Sequence, residues 1–197
     1  MGVRAVFLVG FMASGKSSVG RELARHLEWD FVDLDARIES SERQTVAEIF
    51  RDRGESEFRL IEASALRDMT ESLERDTVIA LGGGTFAHPK NYELLKNHEL
   101  LKTWPSVFLD APVDELWRRS LADATKRPLR KDPEEFARLY ESRLPFYRQA
   151  TVTVVTLGKD PASLCAEIER TLQFRGKNGA ADTGQTPSTR FGTGESQ

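Results

Sequence analysis

Cysteine is almost missing from this chain: one residue, Cys165, in 197. That excludes an intrachain disulfide and fits a reducing compartment. Cys165 lies in ASLCAEIERTL beside Leu164, Ile168 and Leu172 at helical spacing, so packing in the core is its expected role. A basic excess is missing too. Lys and Arg together number 28 against 31 Asp and Glu, a formal net charge of -3. The broad positive field of a nucleic-acid binder is therefore excluded, and any basic patch must serve a local purpose. Long apolar runs are also lacking. AVFLV is too short for a signal-peptide core or a membrane span, and Gly10 and Lys16 follow it directly. MGVRAV lacks the Ser or Thr that N-myristoylation wants at the sixth position. A cytoplasmic protein with no membrane or nucleic-acid partner is expected. There is no internal repeat.

Large apolar residues are scarce in one more place. The last stretch, RGKNGAADTGQTPSTRFGTGESQ, is rich in Gly, Thr and Ser. It cannot bury enough surface to offset the entropy of ordering. A folded domain over 1–174 and a disordered tail over 175–197 are expected. Elsewhere the composition, 39% hydrophobic and 30% charged, is that of a soluble globular domain with a sizeable core.

Short apolar runs alternate with longer amphipathic ones. Val3 to Val9 reads as a buried strand, followed by a glycine loop and a helix from about Lys16 to Leu27. WDFVDLD, VIALGGG, SVFLD and TVTVVT read as four further strands. ARIES, TVAEIFRDRGESEFRLIEASALRDM with a break near Gly54, NYELLKNHELL, VDELWRRSL and ASLCAEIERTLQ read as helices. PEEFARLYESRLPFYRQA reads as a helix interrupted around Pro145. Strands alternating with helices imply an α/β fold with a parallel sheet covered on both faces.

GFMASGKS, from Gly10 to Ser17, matches G-x-x-x-x-G-K-[ST] at every fixed position, after a strand and before a helix. Successive backbone N–H groups in such a loop form an anion nest at a helix N-terminus. Gly10 and Gly15 let the backbone turn and approach phosphates. Lys16 can reach the β- and γ-phosphates, and the Ser17 hydroxyl can ligate Mg2+. The loop alone says only that a nucleotide is bound.

Other segments must say where the phosphate goes. FVDLD places Asp33 and Asp35 at the end of the second strand, where ligands of open α/β sheets bind. One carboxylate can hold water-bridged Mg2+ while the other accepts the proton of an attacking hydroxyl. The plainer alternative, that Asp35 merely caps a helix starting at Ala36, is the less favoured beside a phosphate loop. Arg59 and Glu62 in EFRLIE are three apart on one helical face and can pair; taken alone, an ordinary surface ion pair is the expectation. Gly82, Gly83 and Gly84 end the third strand, and three glycines suggest close approach of a ligand to the backbone. Asp110 is a rival metal candidate by pattern, read here as structural. RRSLADATKRPLRK is a basic segment suited to closing over a nucleotide, or else a solvated loop. Arg143 stands just before Pro145 in ESRLPFYR.

GxxxxGKS, FVDLD, FRxxE, LGGG, KRPL and RLPFYR, in this order and spacing, resemble the shikimate kinase family from about Val3 to Leu172. The resemblance implies a P-loop kinase fold of the nucleoside monophosphate kinase type, with a five-stranded parallel sheet of order 2-3-1-4-5. It implies a monomeric enzyme that phosphorylates the shikimate 3-hydroxyl with ATP and Mg2+, in chorismate and aromatic amino acid biosynthesis. By motif, Ala13, Ser14, Gly15, Lys16, Ser17 and Ser18 would bind the nucleotide, with Ser17 and Asp33 serving the metal. Asp35 would hold the shikimate hydroxyls and accept the proton. Arg59 and Arg143 would bind the carboxylate, with Gly82, Gly83 and Gly84 along the ring. Arg127, in a lid at about 118–131, would reach the ATP phosphates and belong with Lys16 and Asp35 to the catalytic set. Arg119 would pack on the adenine, and Lys159 in GKDP weakly matches a further adenine contact. The chain departs from the family at RPLR, which ends in Arg130, and in lacking lid glycines. A sister kinase for gluconate or a nucleoside monophosphate, and a nucleotide-binding module without catalysis, are the competing readings. The module predicts damage at Lys16, Ser17 or Asp35, and all three are intact.

Lys16→Ala should remove phosphoryl transfer and leave the domain folded, because Lys16 acts on ligand phosphates. A loss of about 3–4 kcal/mol in transition-state stabilisation is expected. Near-normal turnover at saturating ATP would overturn the assignment of the loop.

Overall fold

The computed structural model describes residues 4–97, 100–122 and 132–173. Arg127, most of the expected lid and the expected tail lie outside the described residues. Within them, five parallel strands form one sheet in the order β2-β3-β1-β4-β5: β1 is Ala5–Val9, β2 Asp30–Asp33, β3 Thr77–Ala80, β4 Ser106–Asp110 and β5 Val152–Val155. This is the α/β fold and strand order expected. Register runs Phe7 to Ile79 on one side of β1 and Phe7 to Ser106 on the other.

Central strands buried on both faces read as continuous apolar runs, and every residue of β1 is buried. Alternation assigns its residues to two cores. Ala5, Phe7 and Val9 join Ile79 and Phe108 in one. Val6 and Leu8 join Val78, Val107, Leu109 and the expected core residue Cys165 in the other. The second core is roofed by α1 (Lys16–Leu27) and α8 (Pro161–Leu172). In α1, Val19, Leu23 and Leu27 recur every four residues and are buried there. The first core is covered by α2 (Leu34–Glu42), α3 (Val46–Glu71), α4 (Pro89–Asn97), α5 (Leu100–Thr103), α6 (Val113–Ala122) and α7 (Pro133–Tyr147).

This arrangement places the site. The chain leaving β1 turns to the α1 face, and the chain leaving β3 turns to the opposite face. These two strands are neighbours, so a crevice opens between their carboxyl ends. The Gly10–Ser17 loop and the Gly82–Gly84 turn line it.

Local chemistry sets the helix ends. Thr45 and Glu48 form a reciprocal capping box at the start of α3. Asp132 and Asp160 cap α7 and α8, each with Pro in the first turn. The expected break near Gly54 is present, with φ 82° and ψ 171°. Two expectations need correction. α7 runs through Pro145 to Tyr147 without interruption. Pro145 and Glu141, the residue whose carbonyl it leaves unbonded, are both exposed, so that carbonyl can face water. The cap of α2 is Asp33, whose Oδ1 accepts from the Asp35 and Ala36 amides at 3.1 and 3.4 Å. Asp35 is in the first turn of that helix, and its side chain is not the cap.

Gly20, inside α1, offers a test of the packing. Alanine there would gain about 1 kcal/mol of helix propensity. Its Cβ, however, would lie 2.4 Å from Phe31 Cε2 and 3.2 Å from the buried Leu8 Cδ1. Overpacking costs about 1–3 kcal/mol. Gly20→Ala should therefore lower the melting temperature; a rise would show that the contact relaxes freely.

Candidate active site

A cleft of about 800 Å³ opens at the carboxyl ends of β1, β2 and β3. Its nucleotide end is made mostly of backbone. Gly15 is the N-cap of α1 at φ 95°, a conformation that favours glycine, and supplies no side-chain cap. The first amides of α1 are thus not taken by a cap side chain, which suits an anion. Ala13, Gly15, Lys16, Ser17 and Ser18 all line the cleft. Lys16 Nζ donates to the Gly10 and Phe11 carbonyls at 3.0 and 2.9 Å, which lays its charge along the loop. The Ser14 side chain is buried instead: its Oγ would lie 2.8 Å from a Cβ on Gly10, and it is absent from the cleft wall.

Ser17 and Asp33, expected to serve one metal, are brought together. Ser17 Oγ donates to Asp33 Oδ2 at 2.6 Å, while the other carboxylate oxygen caps α2. Their oxygens are the hard donors that Mg2+ prefers.

The other wall carries the acceptor candidates, and each of the three glycines bears one. A Cβ on Gly82 would lie 2.6 Å from Asp35 Oδ1. The Gly83 carbonyl accepts from Arg143 Nη1 at 3.2 Å. A Cβ on Gly84 would lie 2.6 Å from Arg59 Nη2. Among the described residues, the protein's own Asp35, Arg143 and Arg59 approach this backbone closely.

Arg59 and Glu62 do pair, but not as an ordinary surface pair. Glu62 is 1% exposed and Arg59 9%. Arg59 Nη1 donates to Glu62 Oε2 at 2.9 Å, and Nη2 to Glu55 Oε1 at 3.0 Å. Thr85 Oγ1 and Asn91 Nδ2 complete the Glu62 carboxylate at 2.6 and 2.8 Å. Burial works to lower the Arg59 pKa; Glu62 and then Glu55 outweigh it and hold the guanidinium above its ordinary value. Phe50 and Phe58 lie under the same group, their ring centres 5.9 and 5.2 Å from Cζ. Among the described residues no acceptor meets the buried Arg59 Nε.

Arg119 also lines the cleft, on α6. Its Nε donates to Glu115 at 2.7 Å and its Nη1 to Thr156 Oγ1 at 3.1 Å. Hydrogen bonds from Arg118 and Arg119 hold the Glu115 carboxyl down at about 2. Lys159 pairs with Glu167 at 2.5 Å and does not line the cleft. Arg127 lies outside the described residues. Asp110 accepts from the Tyr140 hydroxyl at 3.0 Å, as suits a structural residue. Thr85, Asn91 and Tyr147 were not singled out from the sequence. The first two reach Glu62 only through tertiary contact; Tyr147 could have been noticed, since it follows Arg143 by four residues on one helix face.

Comparisons with known proteins find one family repeatedly. The family model for shikimate kinase matches residues 12–173. A protein named shikimate kinase from Geobacter metallireducens is 41% identical over 176 residues, covering 88% of this chain and 94% of its own length. One of the same name from Persephonella marina is 36% identical, covering 84% and 97%. The structure of shikimate kinase from Acinetobacter baumannii in complex with shikimate superposes with a TM-score of 0.77 at 30% identity, covering 91% of this chain and 96% of that one. A gluconokinase from Sinorhizobium meliloti, at 19% identity and a TM-score of 0.57 over 87% and 96% of the two chains, shares the fold.

Glu62→Gln tests the buried cluster. The carboxylate accepts on both oxygens, whereas an amide would turn an NH2 toward at least one of the three donors. Losing the charge also leaves Arg59 poorly compensated. A destabilisation of about 3 kcal/mol is expected, read as a melting temperature lower by roughly 6–12 °C. A shift below about 2 °C would mean that the cluster does not anchor the wall.

Proposed function

The chain belongs to the shikimate kinase family, and with that as premise we propose that it transfers the γ-phosphoryl group of ATP to the 3-hydroxyl of shikimate. The products are shikimate 3-phosphate and ADP, a step of chorismate and aromatic amino acid biosynthesis. The observation that carries this reading is the glycine wall. Asp35, Arg143 and Arg59 stand in turn on Gly82, Gly83 and Gly84, beside the phosphate loop. A compact polyhydroxy acid needs that set: guanidinium groups for its carboxylate and a carboxylate for its hydroxyls.

Lys16 and the amides of the loop hold the ATP phosphates. Ser17 and Asp33 would hold Mg2+ with their hydroxyl and carboxylate oxygens. When bound, the ion neutralises charge on the phosphates. Arg59 and Arg143 fix the acid so that its hydroxyl faces the loop. Asp35 accepts the hydroxyl proton as that oxygen bonds to the γ-phosphorus and the bond to the β-phosphate oxygen breaks, releasing ADP. By motif, Arg119 serves the adenine, with Lys159 a weaker candidate, and Arg127, outside the described residues, serves the phosphates. The working form is a monomer in the cytoplasm, free of membrane and nucleic acid. Among the described residues no helix is long and apolar enough to cross a membrane.

Arg59→Lys and Arg143→Lys should both be harmful although they keep the charge, because lysine cannot reproduce the planar fork. A loss of about 1.5–3 kcal/mol per charged hydrogen bond is expected. It should appear in the KM for shikimate and leave the KM for ATP unchanged. A coupled ADP-release assay with shikimate, gluconate and AMP as acceptors checks both the substrate and the mutants. Unchanged shikimate KM in both mutants, or preference for another acceptor, would sink the reading.

A further inference from the structure

Tyr147 lies outside the cleft wall, yet it touches the backbone on which the acceptor residues stand. It is fully buried at the end of α7, one turn after Arg143. Its ring stacks on Phe108 of β4, with centroids 5.2 Å apart and planes 28° apart. Its hydroxyl donates to the Gly83 carbonyl oxygen. That same oxygen accepts from Arg143 Nη1 at 3.2 Å.

A carbonyl oxygen has two lone pairs, and here each meets a donor from α7. Two donors on one oxygen restrict rotation of the peptide between Gly83 and Gly84. The position of that peptide matters on three sides. A Cβ on Gly83 would lie 3.4 Å from the Met12 amide of the phosphate loop, and one on Gly84 would lie 2.6 Å from Arg59 Nη2. The third side is Arg143, held to the carbonyl itself. Filling the space between Phe108 and the turn would need only a phenylalanine. A buried hydroxyl is costly unless it is hydrogen-bonded, and this one is spent on the peptide that carries the acceptor arginines.

We infer that Tyr147 is a positioning residue for the acceptor: through the Gly83 carbonyl, its hydroxyl sets the angle at which Arg143 meets the acceptor carboxylate. This rests on the proposed function. The hydroxyl touches neither substrate nor reacting atoms; it acts through the peptide. Burial pushes the phenol pKa well above its ordinary value, so the proton needed for donation is present throughout the neutral range.

Tyr147→Phe is the test, since it keeps the ring stack and removes one oxygen. Circular dichroism and melting verify the fold. The KM for shikimate should rise threefold to tenfold, the range expected for one hydrogen bond. The KM for ATP should be unchanged and kcat should stay within twofold. A purely structural role would move both KM values together or neither, and either result overturns the inference. Coupling supplies a second reading. In an Arg143→Ala background, Tyr147→Phe should raise the shikimate KM by much less than in the wild type, and an equal rise would overturn the route through Arg143. Failure of the wild type to phosphorylate shikimate would overturn the proposed function and this inference with it. Wild-type turnover with an unmoved shikimate KM in Tyr147→Phe overturns the inference alone.

Discussion

Burying a carboxylate costs several kcal/mol unless its lone pairs are met, and Glu62 is buried with donors from three places. Arg59 comes from its own helix, Thr85 from the glycine turn and Asn91 from α4. Each donor left off would expose the molecule to that cost, so α3, the turn and α4 are held in one relation. The cluster contributes little net stability compared with an apolar core of the same volume. What it provides is a guanidinium held in one place, with aromatic faces beneath it.

The two ends of the cleft are built on different physical principles. The nucleotide end relies on backbone: the amides of a helix whose cap is a glycine, a lysine laid along its own loop, and a hydroxyl paired with a carboxylate. The opposite wall relies on charged side chains, of which Arg59 and Glu62 are buried and paired. Phosphates are common to many ligands and suit a generic nest. A particular acid needs donors at particular angles, which only fixed side chains can supply. The glycine turn joins these ends. It packs on the phosphate loop through Gly83 and carries Asp35, Arg143 and Arg59 on successive residues.

Three consecutive glycines therefore have a cause beyond turning the chain. A side chain at Gly82 or Gly84 would occupy the space of Asp35 Oδ1 or of the Arg59 fork. The close approach that glycine permits is made here by the protein's own side chains. That Asp35, Arg143 and Arg59 stand against these glycines could not be read from LGGG.

By itself the sequence determined the alternation of strands and helices, the phosphate loop, and the order of segments that carries the family. These are local patterns: apolar periodicity, glycine spacing, cap residues and a lysine next to a serine. The break at Gly54 and the burial of Cys165 were legible for the same reason. Only the tertiary structure decided that Asp33 and not Asp35 caps α2, because both residues suit a cap and the choice depends on how β2 delivers the chain. It decided that α7 passes through Pro145, since the cost of a proline depends on whether the freed carbonyl is exposed. It turned the Arg59–Glu62 pair from a surface contact into a buried one by bringing Thr85 and Asn91 to it from 23 and 29 residues away. It also put Tyr147 under Gly83, 64 residues earlier in the chain. Contacts at such separations leave no period or spacing in the sequence. They exist because a parallel sheet carries the ends of distant strands to one edge, where burial forces polar groups to find each other.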